Sequence, residues 1–179
     1  MFALGCGTTP IDAVVQDDTG YPGMSGAGGV MTANCSEPGA GRFILQAVNG
    51  CLRHGEPTTV FTEPAFSTEL TEDCSSTRAQ WDLTPAGAGT FTIRNVDSEL
   101  SLDVRAASEF PGTPLILYDP NTLDNQRFFA RARFLDVYEL SPRHASHLCW
   151  EARGTTVEIW PCSGQEPAQN FRFLRRTCP

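Results

Sequence analysis

The sequence predicts an all-β, closed architecture of three repeated units with pseudo-threefold symmetry. Three observations carry this expectation. One pattern recurs at intervals of 45 to 50 residues, the apolar segments are short and alternating rather than long and helical, and 16 Gly with 13 Pro punctuate the 179 residues.

A chain of this length supports one well-cored domain. At 40% apolar and 19% charged residues the composition is that of a folded protein, and no apolar run approaches the roughly 18 residues that a membrane-spanning helix needs. The formal net charge is −8, the pI is about 4.8, and all basic residues are Arg. Such a surface repels phosphate backbones, so nucleic-acid binding is not expected; the basic "FRFLRR" near the end reads as a solvated face. Seven Cys point to an oxidising compartment, hence to a secreted or cell-surface protein.

Taken in order, residues 1–41 carry no basic side chain and several Gly and Pro ("TGYPGMSGAGG"), which reads as a flexible leader or tether. Within it, "FALGCG" resembles the end of a bacterial lipoprotein signal, which implies Cys6 as an acylated anchor; Ala3 stands where that family has a larger aliphatic residue. The folded domain is expected over 42–179, in repeats of about 42–86, 87–131 and 132–179.

Each repeat opens on an alternating apolar stretch, "RFILQAV", "TFTIRNV" and "RFLDVYEL". Next come "NGCLRHG", "ELSLDVR" and "SHLCWEA", in which Leu52, Leu102 and Trp150 are 50 and 48 residues apart. The repeats close on "STRAQWDL", "LDNQRFFA" and "PAQNFRFL", with Trp81, Phe128 and Phe173 taken as equivalent, 47 and 45 residues apart. About four strands per unit are implied. Asn49-Gly50 suits a two-residue hairpin turn and Pro111-Gly112 the middle of a type II turn.

Repeats of this length, with a C-L-D-V-like segment, an aromatic before a second cysteine and a Q-x-W-like close, resemble ricin-type β-trefoil lectin modules across 42–179. The resemblance implies a disulfide inside a unit, Cys51–Cys74 in the first and Cys149–Cys162 in the third. Ser101 and Pro120 occupy both equivalent places in the middle unit, and joint loss is what such pairing predicts. A bridge between Cys35 and Cys178 would tie the two ends together.

The resemblance also implies a sugar site in the middle unit. Asp103 would accept hydroxyl hydrogens, Tyr118 would cover the C–H face of a pyranose, Asn125 would bond a hydroxyl, and Gln126 would orient Asp103. The polar residue that family members often place two before the aromatic is replaced by Ile116. A weaker second site is expected from Glu151, Trp160 and Asn170. In the first unit Arg53, Glu72 and Arg78-Ala79 replace the set, so that unit reads as scaffold. For Asp103 and Asn125 the alternative role is bracing of loops.

No catalytic motif appears, and the chain is expected to be a non-enzymatic module that binds glycans or glycoconjugates and needs no cofactor. "HASHLC" spaces His144, His147 and Cys149 as zinc ligands could be spaced, but Cys149 is assigned to the disulfide and no metal is expected. The rival reading is a trefoil that binds protein, as inhibitor, toxin-complex subunit or adhesion component, with vestigial sugar sites.

Overall fold

The computed structural model describes residues 40–175. The acylation expected at Cys6, the Cys35–Cys178 bridge and the leader up to residue 39 lie outside these residues. Twelve strands follow one another: β1 (Gly41–Ala47), β2 (Gly50–Val60), β3 (Glu63–Thr71), β4 (Gln80–Gly87), β5 (Thr90–Asn95), β6 (Ser101–Val104), β7 (Thr113–Tyr118), β8 (Phe128–Phe134), β9 (Val137–Pro142), β10 (Leu148–Arg153), β11 (Thr156–Pro161) and β12 (Phe171–Arg175). Single 3-10 turns at Thr77–Ala79, Asp124–Gln126 and Pro167–Gln169 lead into the last strand of each unit.

The pairing closes on itself. Strand β1 pairs with β4, β4 with β5, β5 with β8, β8 with β9, β9 with β12 and β12 back to β1, all antiparallel. A barrel of six strands therefore has no free lateral edge. The other six form the hairpins β2–β3, β6–β7 and β10–β11, joined in turn by β3–β7 and β7–β11 pairing and by a Leu70 N–H to Thr155 carbonyl bond of 2.8 Å. This is a β-trefoil.

The threefold relation is explicit in the register. Phe43 faces Trp81, Phe91 faces Phe128, and Tyr138 faces Phe171. Trp81, Phe128 and Phe171 are all at most 1% exposed. The third member of the closing aromatic set is thus Phe171 and not Phe173. Phe173 lies one pleat further on the same inward face, with its ring 5.8 Å from Phe43 and 5.2 Å from Tyr138. Trp81 also donates its indole N–H to the Leu52 carbonyl at 2.9 Å, which ties the barrel to the first hairpin.

Cys51–Cys74 and Cys149–Cys162 are both disulfides, and Ser101 and Leu102 occupy the places of Cys51 and Leu52 in the middle unit. Closing these loops stabilises by about 3 kcal/mol each on the chain-entropy account. The turn between β1 and β2 is Val48-Asn49 rather than Asn49-Gly50, since Ala47 pairs with Gly50. Gly50 is needed one place later: at φ 145° its Cα passes Thr71 so closely that a Cβ would sit 2.6 Å from the Thr71 carbonyl oxygen. Gly112 does take the turn position expected of it, at φ 84°, with Thr113 N–H donating to the Phe110 carbonyl at 3.3 Å. In "RFLDVYEL" the opening strand begins only at Val137, because Arg133 and Phe134 finish β8.

One unit departs from symmetry. Its hairpin β2–β3 has arms of 11 and 9 residues, against 4 and 6 in the middle unit and 6 and 6 in the third. The overhanging tip packs Val60 and Ala65 onto Ile116 and Tyr118 of the middle unit.

Candidate functional site

Strand alternation sets which side chains share the outer face of each hairpin. In the middle unit Ser101 faces Tyr118 and Asp103 faces Ile116, so Asp103, Ile116 and Tyr118 lie on one side of the β6–β7 ladder. The turn Asp124–Gln126 supplies the amides. Asn125 Nδ2 donates to Asp103 Oδ2 at 2.9 Å, and Gln126 Nε2 donates to the same oxygen at 2.8 Å. Gln126 also donates to the Asp119 carbonyl at 2.9 Å and accepts from the Asn121 N–H at 2.8 Å. The structure thus brings Asp103, Asn125 and Gln126 together, with Tyr118 on the adjoining strand.

The amides and the carboxylate are more buried than a shallow sugar patch suggests: Asp103 is 2% exposed, Asn125 6% and Gln126 0%. Burial raises the Asp103 pKa to about 6, against the two amide hydrogen bonds and the nearby His144, which favour the charged form. Both amides converge on Oδ2, which leaves Oδ1 free of them. Tyr118 is half-buried, its flank resting on the Val60, Ala65 and Ile116 cluster. Arg105, two residues after Asp103, is turned outward and donates to the Thr59 carbonyl of the overhanging hairpin at 2.9 Å.

The third unit repeats the scheme with one correction. Gln169, not Asn170, is the bracing amide: its Nε2 donates to Glu151 Oε2 and to the Pro161 carbonyl, both at 2.9 Å, and its Oε1 accepts from Ser163 N–H at 3.0 Å. These bonds match those of Gln126 one for one. Ala168 then stands in the place of Asn125, and Asn170 belongs elsewhere. It lines a hollow of about 350 Å3 between β1, β9 and β12, with Gln46, Val48, Phe134, Val137 and Arg172. No carboxylate lines that hollow, and Asp103, Tyr118, Gln126, Glu151 and Trp160 are not among its walls.

Trp160 faces Cys149 as Tyr118 faces Ser101, and Glu151 faces Glu158 as Asp103 faces Ile116. The ring nitrogen of Trp160 donates to Glu158 Oε2 at 3.0 Å. Over the ring lies Arg153, its guanidinium carbon 4.5 Å from the centroid, with NH1 donating to Glu151 Oε1 at 2.7 Å.

In the first unit Arg53 occupies the place of Asp103 and donates through Nε and NH2 to Glu69 Oε2, its cross-strand neighbour, at 3.2 and 2.8 Å. Thr71, and not Glu72, faces Cys51, so no ring stands on this face. Arg78 is turned to the Gly55 carbonyl at 2.8 Å. His54 points inward to Asp97 Oδ2 at 3.3 Å, and burial lowers its pKa. His144 sets Nε2 against the Ser108 carbonyl at 3.1 Å, and Cys149 is bonded to Cys162, so "HASHLC" gathers no ligand set. Glu139 lies beside the Cys149–Cys162 sulfurs, which their mutual bond removes as ligands.

The chain matches the family described as ricin-type beta-trefoil lectin domain-like over residues 58–118 and 77–160. Similar solved structures include ThreeFoil, a designed threefold-symmetric protein, with 21% identity, a TM-score of 0.64, and coverage of 74% of this chain and 97% of that one. The Polyporus squamosus lectin bound to a human-type influenza-binding epitope is similar at 21% identity and TM-score 0.63, over 77% of this chain and 50% of that one. An exo-beta-1,3-galactanase from Clostridium thermocellum is 26% identical with a TM-score of 0.66, over 78% of this chain and 31% of that one. No curated protein sequence matches.

Proposed function

The chain belongs to the ricin-type beta-trefoil lectin-like domain family, and we propose that it is a carbohydrate-binding module whose working site is the middle unit. The observation that carries this reading is the convergence of two side-chain amides on one oxygen of Asp103, beside the ring of Tyr118. Such bracing fixes a carboxylate in place and keeps its other oxygen for a ligand. An acceptor-only group of this kind suits adjacent sugar hydroxyls, and the ring suits the apolar face of a pyranose. Asp103 and Asn125 do brace one another, and on this reading the same bond also prepares the carboxylate for a ligand.

The sugar is of the galactose type or closely related. Ile116 beside Asp103 provides an apolar wall and no further hydrogen bond, so affinity for a single sugar is weak and useful attachment relies on clustered ligands. The disulfides fit a secreted or cell-surface protein, and acylation of Cys6 would add clustering on a membrane. No catalytic role is assigned. The rival reading, a trefoil that binds protein, draws on the first and third faces, which are occupied by their own Arg53–Glu69 and Arg153–Glu151 pairs.

The deciding experiment is a glycan array followed by galactose titration of the wild type and Tyr118→Ala. The expected result is saccharide binding by the wild type, weakened at least about tenfold in the variant if the ring contributes near 1.5 kcal/mol. No binding by the wild type removes the middle unit as a working sugar site, and unchanged binding by Tyr118→Ala removes it likewise.

A further inference from the structure

Two residues after Arg53, Asp103 and Glu151, the equivalent positions hold Gly55, Arg105 and Arg153. In the first unit there is no side chain. In the middle unit Arg105 is drawn away to the Thr59 carbonyl at 2.9 Å by the overhanging β2–β3 hairpin. The third unit has no such overhang above it, and Arg153 folds back instead. Its guanidinium lies flat on Trp160, 4.5 Å from the ring centroid, and bonds Glu151 Oε1 at 2.7 Å, the carboxylate oxygen that Gln169 leaves free. The guanidinium therefore satisfies both features of the face at once, the stacking ring and the open carboxylate oxygen.

We propose that the third unit holds a second saccharide site that is closed by its own Arg153, which stands in for the sugar and determines how many sites the protein offers. This rests on the carbohydrate-binding reading of the fold. Apart from one amide, everything else on the face is in place: Glu151 is braced by Gln169 as Asp103 is by Gln126, Trp160 is oriented by Glu158, and Glu158 supplies the polar group that Ile116 lacks. The missing element is an amide, since Ala168 replaces Asn125. Arg153 is half-exposed, so its removal leaves the core intact.

The test compares the wild type, Arg153→Ala and Arg153→Ala with Trp160→Ala. Acrylamide quenching of tryptophan fluorescence reports the face without any sugar, because Trp81 and Trp150 are 0% exposed and only Trp160 is within reach. Quenching should increase in Arg153→Ala; an unchanged quenching constant overturns the closure. Calorimetric titration with galactose should then give one more site per chain in Arg153→Ala than in the wild type, and the extra site should vanish in the double variant. Equal stoichiometry in wild type and Arg153→Ala overturns the proposal. A wild type that binds no sugar while Arg153→Ala does bind sinks the middle-unit site alone, and supports this one.

Discussion

Asp103→Asn should make the protein more stable and abolish sugar binding, and the gain should depend on pH. The Asp103 carboxyl is 2% exposed and its pKa rises from 3.8 to about 6 on folding. At about 1.36 kcal/mol per pH unit, ionising it inside the fold costs about 3 kcal/mol more than in the unfolded chain. An asparagine oxygen in place of Oδ2 still accepts from Asn125 and Gln126, and the charge is gone. The new NH2 group takes the place of Oδ1, which neither amide bonds, and an unmet donor there costs about 1 kcal/mol. The net expectation at pH 8 is a gain of about 2 kcal/mol, or about 6 °C in Tm. Because the folded pKa lies above the unfolded one, the folded wild type takes up a proton as pH falls through 6. Its handicap relative to the variant therefore shrinks below pH 6, is gone by about pH 4.5 and reverses below that, where only the unmet donor of the variant remains. The difference between the two urea midpoints, measured from pH 4 to pH 8, isolates this group from the other carboxylates. Wild-type sugar binding, which requires the carboxylate, should weaken over the same interval as pH falls. A variant less stable than the wild type at pH 8, or a difference that does not change with pH, would refute the reasoning.

Gln126→Ala removes three hydrogen bonds from a fully buried side chain and strands the Asn121 N–H and the Asp119 carbonyl; urea unfolding should show a loss of about 3 kcal/mol. The first unit has Ala79 at that place and needs no such brace, so Ala79→Gln should not raise stability. Replacing Cys149 and Cys162 together by Ser should cost about 3 kcal/mol by chain entropy. The same loss should follow mild reduction only if the bridge is accessible, and thiol counting on the reduced protein checks that it opened.

Much of the fold was legible because three copies of one pattern check each other. The two disulfides could be read from the joint absence at Ser101 and Pro120, since a covalent pair is lost or kept as a pair. The clustering of Asp103, Asn125 and Gln126 beside Tyr118 could be read because each keeps its chemical type. The third unit was harder. "PAQNFRFL" offers two amides and two aromatics in succession, so Asn170 and Phe173 are as plausible on paper as Gln169 and Phe171. Only the pairing of Phe171 with Tyr138, and the bonds of Gln169 to Glu151, Pro161 and Ser163, choose between them. The seat of Arg153 on Trp160 left a fainter mark: alternation places Glu151 and Arg153 on one face, but which arginine folds back depends on a hairpin from another unit. The length of β2–β3 was not legible at all, because "EPTTVFTEPA" contains two prolines that weaken any strand reading.

The pairing of β1 with β12 sets Phe43 opposite Arg175, while the far end of β1 runs at Ala47 straight into the first hairpin. The chain thus enters and leaves by the same pole, and the three hairpins crown the other. A tether or neighbouring domain joined at either end holds the molecule by its base, like a stalk beneath a flower head. The middle-unit face proposed to bind sugar remains turned away from that base.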